Sequence, residues 1–340
     1  MTELITIEQS AALDDFVLHH EFCHFMQTSL WGRVKKDWGW YGLICRDDSG
    51  KIVGTMAMLR HNIHYLNTCM LYAPRGPIFS DGDWATFEEL VDAARDLAKQ
   101  TGAYLLRLDP RIEENRTDFS EECKRLGFTQ NMATDYTLFQ PRMCYVLDLH
   151  GLTPETLESK YHRSTRYNVH LAQRRGIECV FGTPDDVPEF CRMMAQTAEK
   201  NEFTPRSGPY FRQLLTELGD HAKMYFAKQN GEIIAGTIAV TYGNRSWHMY
   251  GCSDNSRLAD RPNEYLQWRM QSDAIEAGCD AFDFRGVEGY PVDDNPKIGL
   301  HKYKQGYGAE FHSYVGQFDL VLRPQMAKLV QLAAKLKTKR

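Results

Sequence analysis

Long apolar runs are missing from this sequence. No stretch approaches the roughly 20 residues that a bilayer-spanning helix needs, so a membrane-embedded protein is not expected. The opening residues, MTELITIEQS, have neither a basic start nor an apolar core, which argues against an export leader. No Cys-x-x-Cys pair occurs among the nine cysteines. They read as buried or idle thiols in a reducing cytosol rather than a disulfide framework. A large excess of positive charge is missing too: the net charge is −5, which excludes wholesale coating of nucleic acid and leaves only a local patch for any polyanion. What remains is a soluble, cytoplasmic globular chain of 340 residues, 43% hydrophobic and 25% charged, long enough for two ordinary domains.

One local absence is informative. Between Glu158 and Glu178 there is no acid, while Lys160, Arg163, Arg166, Arg174 and Arg175 occur with His162 and His170. A solvated helix face would spell the same run; the functional reading is a phosphate-binding face. A second basic stretch runs from Arg323 to Arg340, with Met326, Leu329, Val330, Ala333 and Leu336 at helical spacing between lysines. That pattern predicts a helix docked on the protein, or one touching anionic lipid. His20 and His24 would stand one helical turn apart, but a closed zinc site needs about four ligands, and no metal is expected.

The chain also repeats itself. The hairpin pattern YGLICR…GKIVGTMAM (41–58) returns as KMYFAK…GEIIAGTIAV (223–240). An amphipathic helix ending in Gly102 before a strand returns as LQWRMQSDAIEAGCDAFDFRGV with Gly278, and CKRLGFT (123–129) is answered by YKQGYGAE (303–310). Pairing Gly50 with Gly231, Gly102 with Gly278 and Gly127 with Gly306 gives offsets of 181, 176 and 179 residues. The predicted fold class is therefore α/β (α+β), two tandem copies of one unit.

Strand, hairpin, long helix, strand and short helix in this order resemble the GNAT acyltransferase fold, with its mixed, splayed sheet. Most GNAT enzymes hold coenzyme A through a Gly-rich loop at a helix N-terminus. The nearest match, Gln173-Arg-Arg-Gly176-Ile-Glu178, ends in a carboxylate that would repel phosphate. Six strings then sharpen the reading: FMQTSLWGRVKKDW, YAPRGP, a Thr-x-x-x-Asn-x-Phe-x-x-Arg-x-x-x-Tyr-Phe pattern at 197–211, MYGCSD, NEYLQW and HKYKQGYG. Together they resemble the Fem family of peptidoglycan interpeptide-bridge aminoacyltransferases. No heptad stretch interrupts 150–316, which matches the compact form without a coiled-coil arm. The resemblance implies two GNAT-like domains, 1–148 and 149–316, with a C-terminal helix (317–340) returning to the first.

The activity so implied is transfer of an amino acid from aminoacyl-tRNA to a stem-peptide amine of a UDP-linked or lipid-linked peptidoglycan precursor. An aminoacyl ester is already activated, so no cofactor is expected. The protein is expected to act as a monomer in the cytoplasm, at the inner face of the membrane. By resemblance Lys35, Asp37, Arg206, Tyr210 and Tyr250 match precursor-binding positions, although Asp37 replaces a neutral amide. Arg163 and Arg166 are the candidates for tRNA phosphate. Tyr303-Lys304 matches an aromatic-lysine pair, with Lys304 placed where the tetrahedral oxyanion develops and Tyr303 positioning the ester or packing. Lys302, read on an extended segment on the same side as Lys304, is expected to matter less. Asp109, at a strand end before Pro110, either accepts a proton from the attacking amine or caps its turn. An acyl-CoA N-acyltransferase is the alternative, and a non-catalytic precursor-binding protein a third reading.

Overall fold

The computed structural model of the protein describes residues 1–337, and the side chains of residues 1–335. Residues 338–340, including Lys339 of the basic tail, lie outside the described residues. The chain runs β1 (Thr2–Ile5), α1 (Ala11–His19), α2 (Ser29–Val34), β2 (Gly39–Arg46), β3 (Ile52–Ile63), β4 (Thr68–Ala73), β5 (Ile78–Phe79), α3 (Trp84–Thr101), β6 (Ala103–Leu108), α4 (Thr117–Arg125) and β7 (Thr129–Asn131). It continues through β8 (Met143–Asp148), α5 (Arg163–Arg174), β9 (Glu178–Gly182), α6 (Val187–Lys200), α7 (Gly208–Leu218), β10 (Ala222–Gln229), β11 (Glu232–Tyr242) and β12 (Arg245–Ser253). Then come α8 (Pro262–Glu276), β13 (Ala281–Val287), α9 (Ile298–Gln305), β14 (Glu310–Ser313), β15 (Gln317–Val321) and α10 (Pro324–Lys337).

Two units result: residues 1–142 with 313 onward, and residues 143–312. Their sheets have the same plan. The first is ordered β1-β2-β3-β4-β6-β15-β7, with β5 on β3; the second, read from its other edge, is β9-β10-β11-β12-β13-β8-β14. Each has a parallel pair at the same place, β4 with β6 and β12 with β13. In each, the strand beside that pair comes from far along the chain: β15 from its end, β8 from the start of the second unit.

The duplicated landmarks have a conformational cause. Gly50 and Gly231 turn the two hairpins at φ +85° and +88°, and Gly102 and Gly278 follow α3 and α8 at +68° and +76°. These are left-handed positions that a Cβ disfavours. The third pair is shifted by two residues: Gly306 is right-handed (φ −56°), and the left-handed counterpart of Gly127 is Gly308 at φ +77°. In the first unit α3 lays Leu90, Val91, Ala94 and Leu97 on the sheet; in the second α8 does so with Leu266, Met270 and Ala274.

Two boundaries differ from the sequence reading. Met143–Asp148, assigned to the first domain, is β8 and pairs antiparallel with β13 of the second sheet. A run of Met-Cys-Tyr-Val-Leu carries no mark of which sheet it will join. The tail expected to be helical from 317 begins instead as β15, and its helix starts only at Pro324. The longest helix within 143–312 is α8, fifteen residues, so no coiled-coil arm is inserted among those residues.

Candidate active site

In the second unit the parallel register of β12 and β13 ends at Trp247 opposite Asp283. Beyond it the two strands part, β12 running on to Ser253 and β13 to Val287. A cleft of about 290 Å³ lies against β11 and β12 and is lined by His248, Cys252, Gln267, Met270 and Tyr303, among others. His248 meets Gln267 Nε2 through its Nδ1 at 3.0 Å. Burial, reinforced by the charge of Lys304, lowers the His248 pKa to about 3, so this ring is uncharged at neutral pH.

A second, polar groove of about 490 Å³ begins on the other side of Tyr303. Its walls are the start of α5 (His162, Thr165, Asn168), the start of α8 (Arg261, Glu264) and α9 (Lys302). Tyr303 thus lines both spaces; its hydroxyl accepts from Tyr307 at 3.2 Å, and burial raises its pKa. The turn after α9 packs against α5 closely enough to require glycine. A Cβ on Gly306 would come within 2.5 Å of Thr165 Oγ1, and one on Gly308 within 2.5 Å of the Lys160 carbonyl oxygen.

Lys304 is 6% exposed. Its segment is helical rather than extended, and two residues apart on a helix face nearly opposite ways, so Lys302 is exposed while Lys304 points into the protein. The Lys304 ammonium donates to the carbonyls of Phe284, Arg285 and Gly286 at 2.8, 2.9 and 2.8 Å. All three of its protons are committed to backbone, which corrects the expectation of a donor aimed at the cleft. Burial brings its pKa down to about 8 against the pull of Cys144 and Asp283.

Arg206, Tyr210 and Tyr250 come together. The Tyr210 and Tyr250 hydroxyls are 3.0 Å apart, and the Arg206 guanidinium carbon stands 5.5 Å from the centre of the Tyr210 ring. Burial, then Tyr250, push the Tyr210 phenol well above its ordinary value; Arg206 and Arg285 oppose this. Pro205 does not open the helix. Ser207 caps α7, accepting from Tyr210 N at 3.4 Å, so Arg206 reaches the ring from the preceding loop.

The first unit holds the other candidates. Asp14 of α1 accepts from the Ser29 N–H at 2.8 Å and so caps α2. Gln27, fully buried, ties the same segment to Ala57 and Pro74. At the far end of α2, the Lys35 ammonium lies 5.0 Å from the Trp31 ring centre, Asp37 is exposed, and Trp38 stacks on His61 at 4.3 Å. Asp109 is 2% exposed. One oxygen accepts from Tyr72 Oη at 2.5 Å and the other from the Arg75 N–H at 2.7 Å, while Arg75 Nη2 reaches the Pro141 carbonyl at 2.7 Å. Burial raises the Asp109 pKa to about 6, with Arg75 opposing. These contacts describe a carboxylate that pins the YAPRGP loop.

Arg163 and Arg166 are exposed on α5, next to the groove. Gln173–Glu178 lies at the C-terminal end of α5, the wrong end of the helix dipole for phosphate. The loop that enters α8 after β12 is Asp254–Arg261; it has no glycine, and the Asp254 carboxylate takes the Ser256 N–H at 2.8 Å. The supposed pairing of His20 with His24 fails because α1 ends at His19 and both residues are extended. The sequence reading did not single out His248, Gln267 and Arg261, which line these spaces.

The FemAB family profile matches residues 9–232 and 227–335. The chain belongs to the FemAB family. Among curated relatives it is 25% identical over 393 aligned positions to the lipid II:glycine glycyltransferase of Staphylococcus aureus (strain bovine RF122 / ET3-1), covering 94% of this chain and 93% of that protein. The protein of the same name from Staphylococcus haemolyticus (strain JCSC1435) is 24% identical over 392 positions, with 94% and 93% covered. In structure this FemAB chain is similar to crystalline FemX, with a TM-score of 0.87 at 22% identity, covering 97% of this chain and 99% of that one. A tandem GNAT protein from the clavulanic acid biosynthesis pathway matches at TM-score 0.56 and 14% identity, covering 95% and 99%. The fold is two tandem GNAT-like units with mixed sheets.

Proposed function

We propose that this protein transfers an aminoacyl group from aminoacyl-tRNA to a stem-peptide amine of a peptidoglycan precursor. The observation that carries the reading is Tyr303, a wall shared by the cleft and the basic-edged groove. An RNA 3′ end lying in the groove beside Arg261 and Lys302, with Arg163 and Arg166 on the approach, would deliver its ester past Tyr303 into the cleft. The acceptor nitrogen bonds to the acyl carbon, the acyl–ribose oxygen bond breaks, and a proton from the amine passes to the ribose oxygen, which leaves as the hydroxyl. Since every Lys304 proton is engaged, its contribution to the oxyanion is the field of a fixed buried charge.

Arg206, Tyr210 and Tyr250 of the second unit are the residues proposed to hold the precursor; Lys35 and Asp37 of the first unit are proposed as precursor-binding residues on the resemblance alone. Lipid II and glycine, named for the relatives, are the first acceptor and donor to try. Leu329 and Leu332 of α10 are 48% and 57% exposed beside Lys328, a face suited to an anionic membrane surface. Against coenzyme A, the loop entering α8 offers a carboxylate where a pyrophosphate would need free N–H groups.

The test is incubation with mixed aminoacyl-tRNAs and each precursor form, followed by product masses. A mass increase of one amino acid, abolished by ribonuclease, is expected. Transfer from acyl-CoA that ignores tRNA would replace this reading.

A further inference from the structure

Glu264 is a buried carboxylate with bonding capacity to spare. It stands in the first turn of α8, after Arg261 at φ +66° and Pro262 have set the helix off. Acids are common at such positions, where they meet the free N–H groups of the turn while facing water, yet Glu264 is only 9% exposed. Burying a carboxylate is costly unless its oxygens are bonded. Oε1 accepts from Asn168 Nδ2 of α5 at 3.2 Å and lies 3.5 Å from Arg261 Nη1. The other oxygen takes no hydrogen bond from another described residue. The face that Glu264 leaves open is a wall of the polar groove, which Tyr303 also lines.

The sign of this charge is wrong for RNA phosphate. Arg261 and Lys302 line the same groove, and Arg163 and Arg166 are exposed on α5, so the surroundings suit a polyanion. A carboxylate set among them repels phosphate and attracts a cation. The cation that every aminoacyl-RNA has in common is the α-ammonium of its amino acid, on the carbon next to the ester carbonyl. Tyr303 walls both the groove and the cleft, so a group bound against Glu264 lies where the ester has to pass. An ammonium there supplies the missing donor, in a bond between two ionised groups that is stronger than one between neutral groups.

We propose that Glu264 receives the α-ammonium of the donor's aminoacyl group, with Asn168 and Arg261 holding its other oxygen in place. The identity of this ligand rests on the transfer reading. Glu264 then selects aminoacyl esters over other acyl esters and is indifferent to the amino acid's side chain. The probes are acceptor-stem RNA hairpins ending in adenosine, or in 3′-amino-3′-deoxyadenosine acylated through a stable amide with glycine or with glycolic acid. Glycyl and glycolyl ends differ by an ammonium in place of a hydroxyl. In calorimetry at pH 7, below the usual α-amino pKa of about 7.7–8.0, wild type should bind the glycyl hairpin at least about tenfold more tightly than the glycolyl one. Glu264→Gln keeps an acceptor for Asn168. It should bind both acylated hairpins alike, hold the unacylated one no more weakly than wild type, and melt at the same temperature.

A wild-type protein that binds the two acylated hairpins equally overturns the proposal and leaves the transfer reading standing. Discrimination that survives in Glu264→Gln overturns it as well. So does a variant that loses as much affinity for the unacylated hairpin, because the carboxylate then reads the adenine amino group or supports the groove wall. A wild-type protein that binds none of the hairpins, and transfers from acyl-CoA instead, removes the transfer reading and this proposal with it.

Discussion

The hydroxyl of Tyr210 stands 3.0 Å from that of Tyr250, and Arg206 covers the Tyr210 ring from a loop outside the helix that bears it. Arg206 is thereby held by a face-on cation–aromatic contact while its N–H fork stays available to an anion. Arg206→Ala should weaken precursor binding by about 1.5–3 kcal/mol. Arg206→Lys should recover only part, since a point charge lacks the fork. Each of Tyr210→Phe and Tyr250→Phe should cost about 0.5–1.5 kcal/mol of binding. Full affinity in all four, by calorimetry, would remove the cluster from the site.

Asp109 separates a structural carboxylate from a catalytic one. Asp109→Ala leaves the buried Tyr72 hydroxyl and Arg75 N–H without their acceptor, and should destabilise the first unit by about 2–5 kcal/mol. Because its folded pKa is raised to about 6, the folded state binds the proton more tightly than the unfolded chain does. Its contribution to stability therefore grows as pH falls from about 6 toward the unfolded carboxylate value near 4. Asp109→Asn should flatten that segment of the melting-temperature profile. A stable Asp109→Asn protein with no transfer activity would restore the proton-acceptor reading.

The duplicated fold was legible because its signals are local: hairpin glycines, an amphipathic helix and a stop at Gly102 or Gly278 are each written within a few residues. β8 and β15 were assigned wrongly because the partners of an apolar strand are fixed by topology far from it. The bonding of Asp109 was hidden for the same reason, its partners Tyr72 and Arg75 lying 37 and 34 residues away. The 301–310 stretch showed its lysine and its glycines but not their order in space. Only the helix separates Lys302 from Lys304.

On α5, Arg163 and Arg166 are exposed and close to the groove. If they contact donor-RNA phosphates, Arg163→Ala with Arg166→Ala should raise KM for aminoacyl-tRNA and reduce the slope of log affinity against log salt by about 1.4–1.8. KM for the precursor should not move. An unchanged salt slope would leave both as solvated side chains.

The tail offers a cleaner separation of docking from membrane contact. Arg323 anchors the start of α10 to the Gly102 carbonyl at 3.1 Å, and Ala327 is buried, whereas Leu329 and Leu332 face outward. Leu329→Glu with Leu332→Glu should abolish sedimentation with phosphatidylglycerol vesicles and leave the melting temperature unchanged. Wild-type protein that does not sediment, or a variant that still does, would dismiss the membrane face.

Lys304 gives a pH signature that a merely packed lysine would not. Its ammonium faces the carbonyls of 284–286, with Asp283 and Arg285 on β13, Cys144 on β8 and His248 on β12 as the ionisable neighbours. Burial lowers its pKa to about 8, so the charge is complete below that pH and lost above it. The unfolded chain holds this proton up to about 10.4, so Lys304 adds stability, rather than removing it, as pH rises through that window. Activity should move the other way. Acceptor amines become better nucleophiles as pH rises, yet losing the fixed charge and one of three carbonyl bonds should make transfer fall above pH about 8. Lys304→Arg stays charged throughout and should push the falling limb upward even if its maximal rate is lower. Lys304→Met should lose roughly 10²-fold or more in kcat/KM, from the missing charge and the released 284–286 carbonyls together. Profiles of kcat/KM from pH 6 to 10 for the three proteins decide it: a falling limb at the same pH in wild type and Lys304→Arg would assign it to another group.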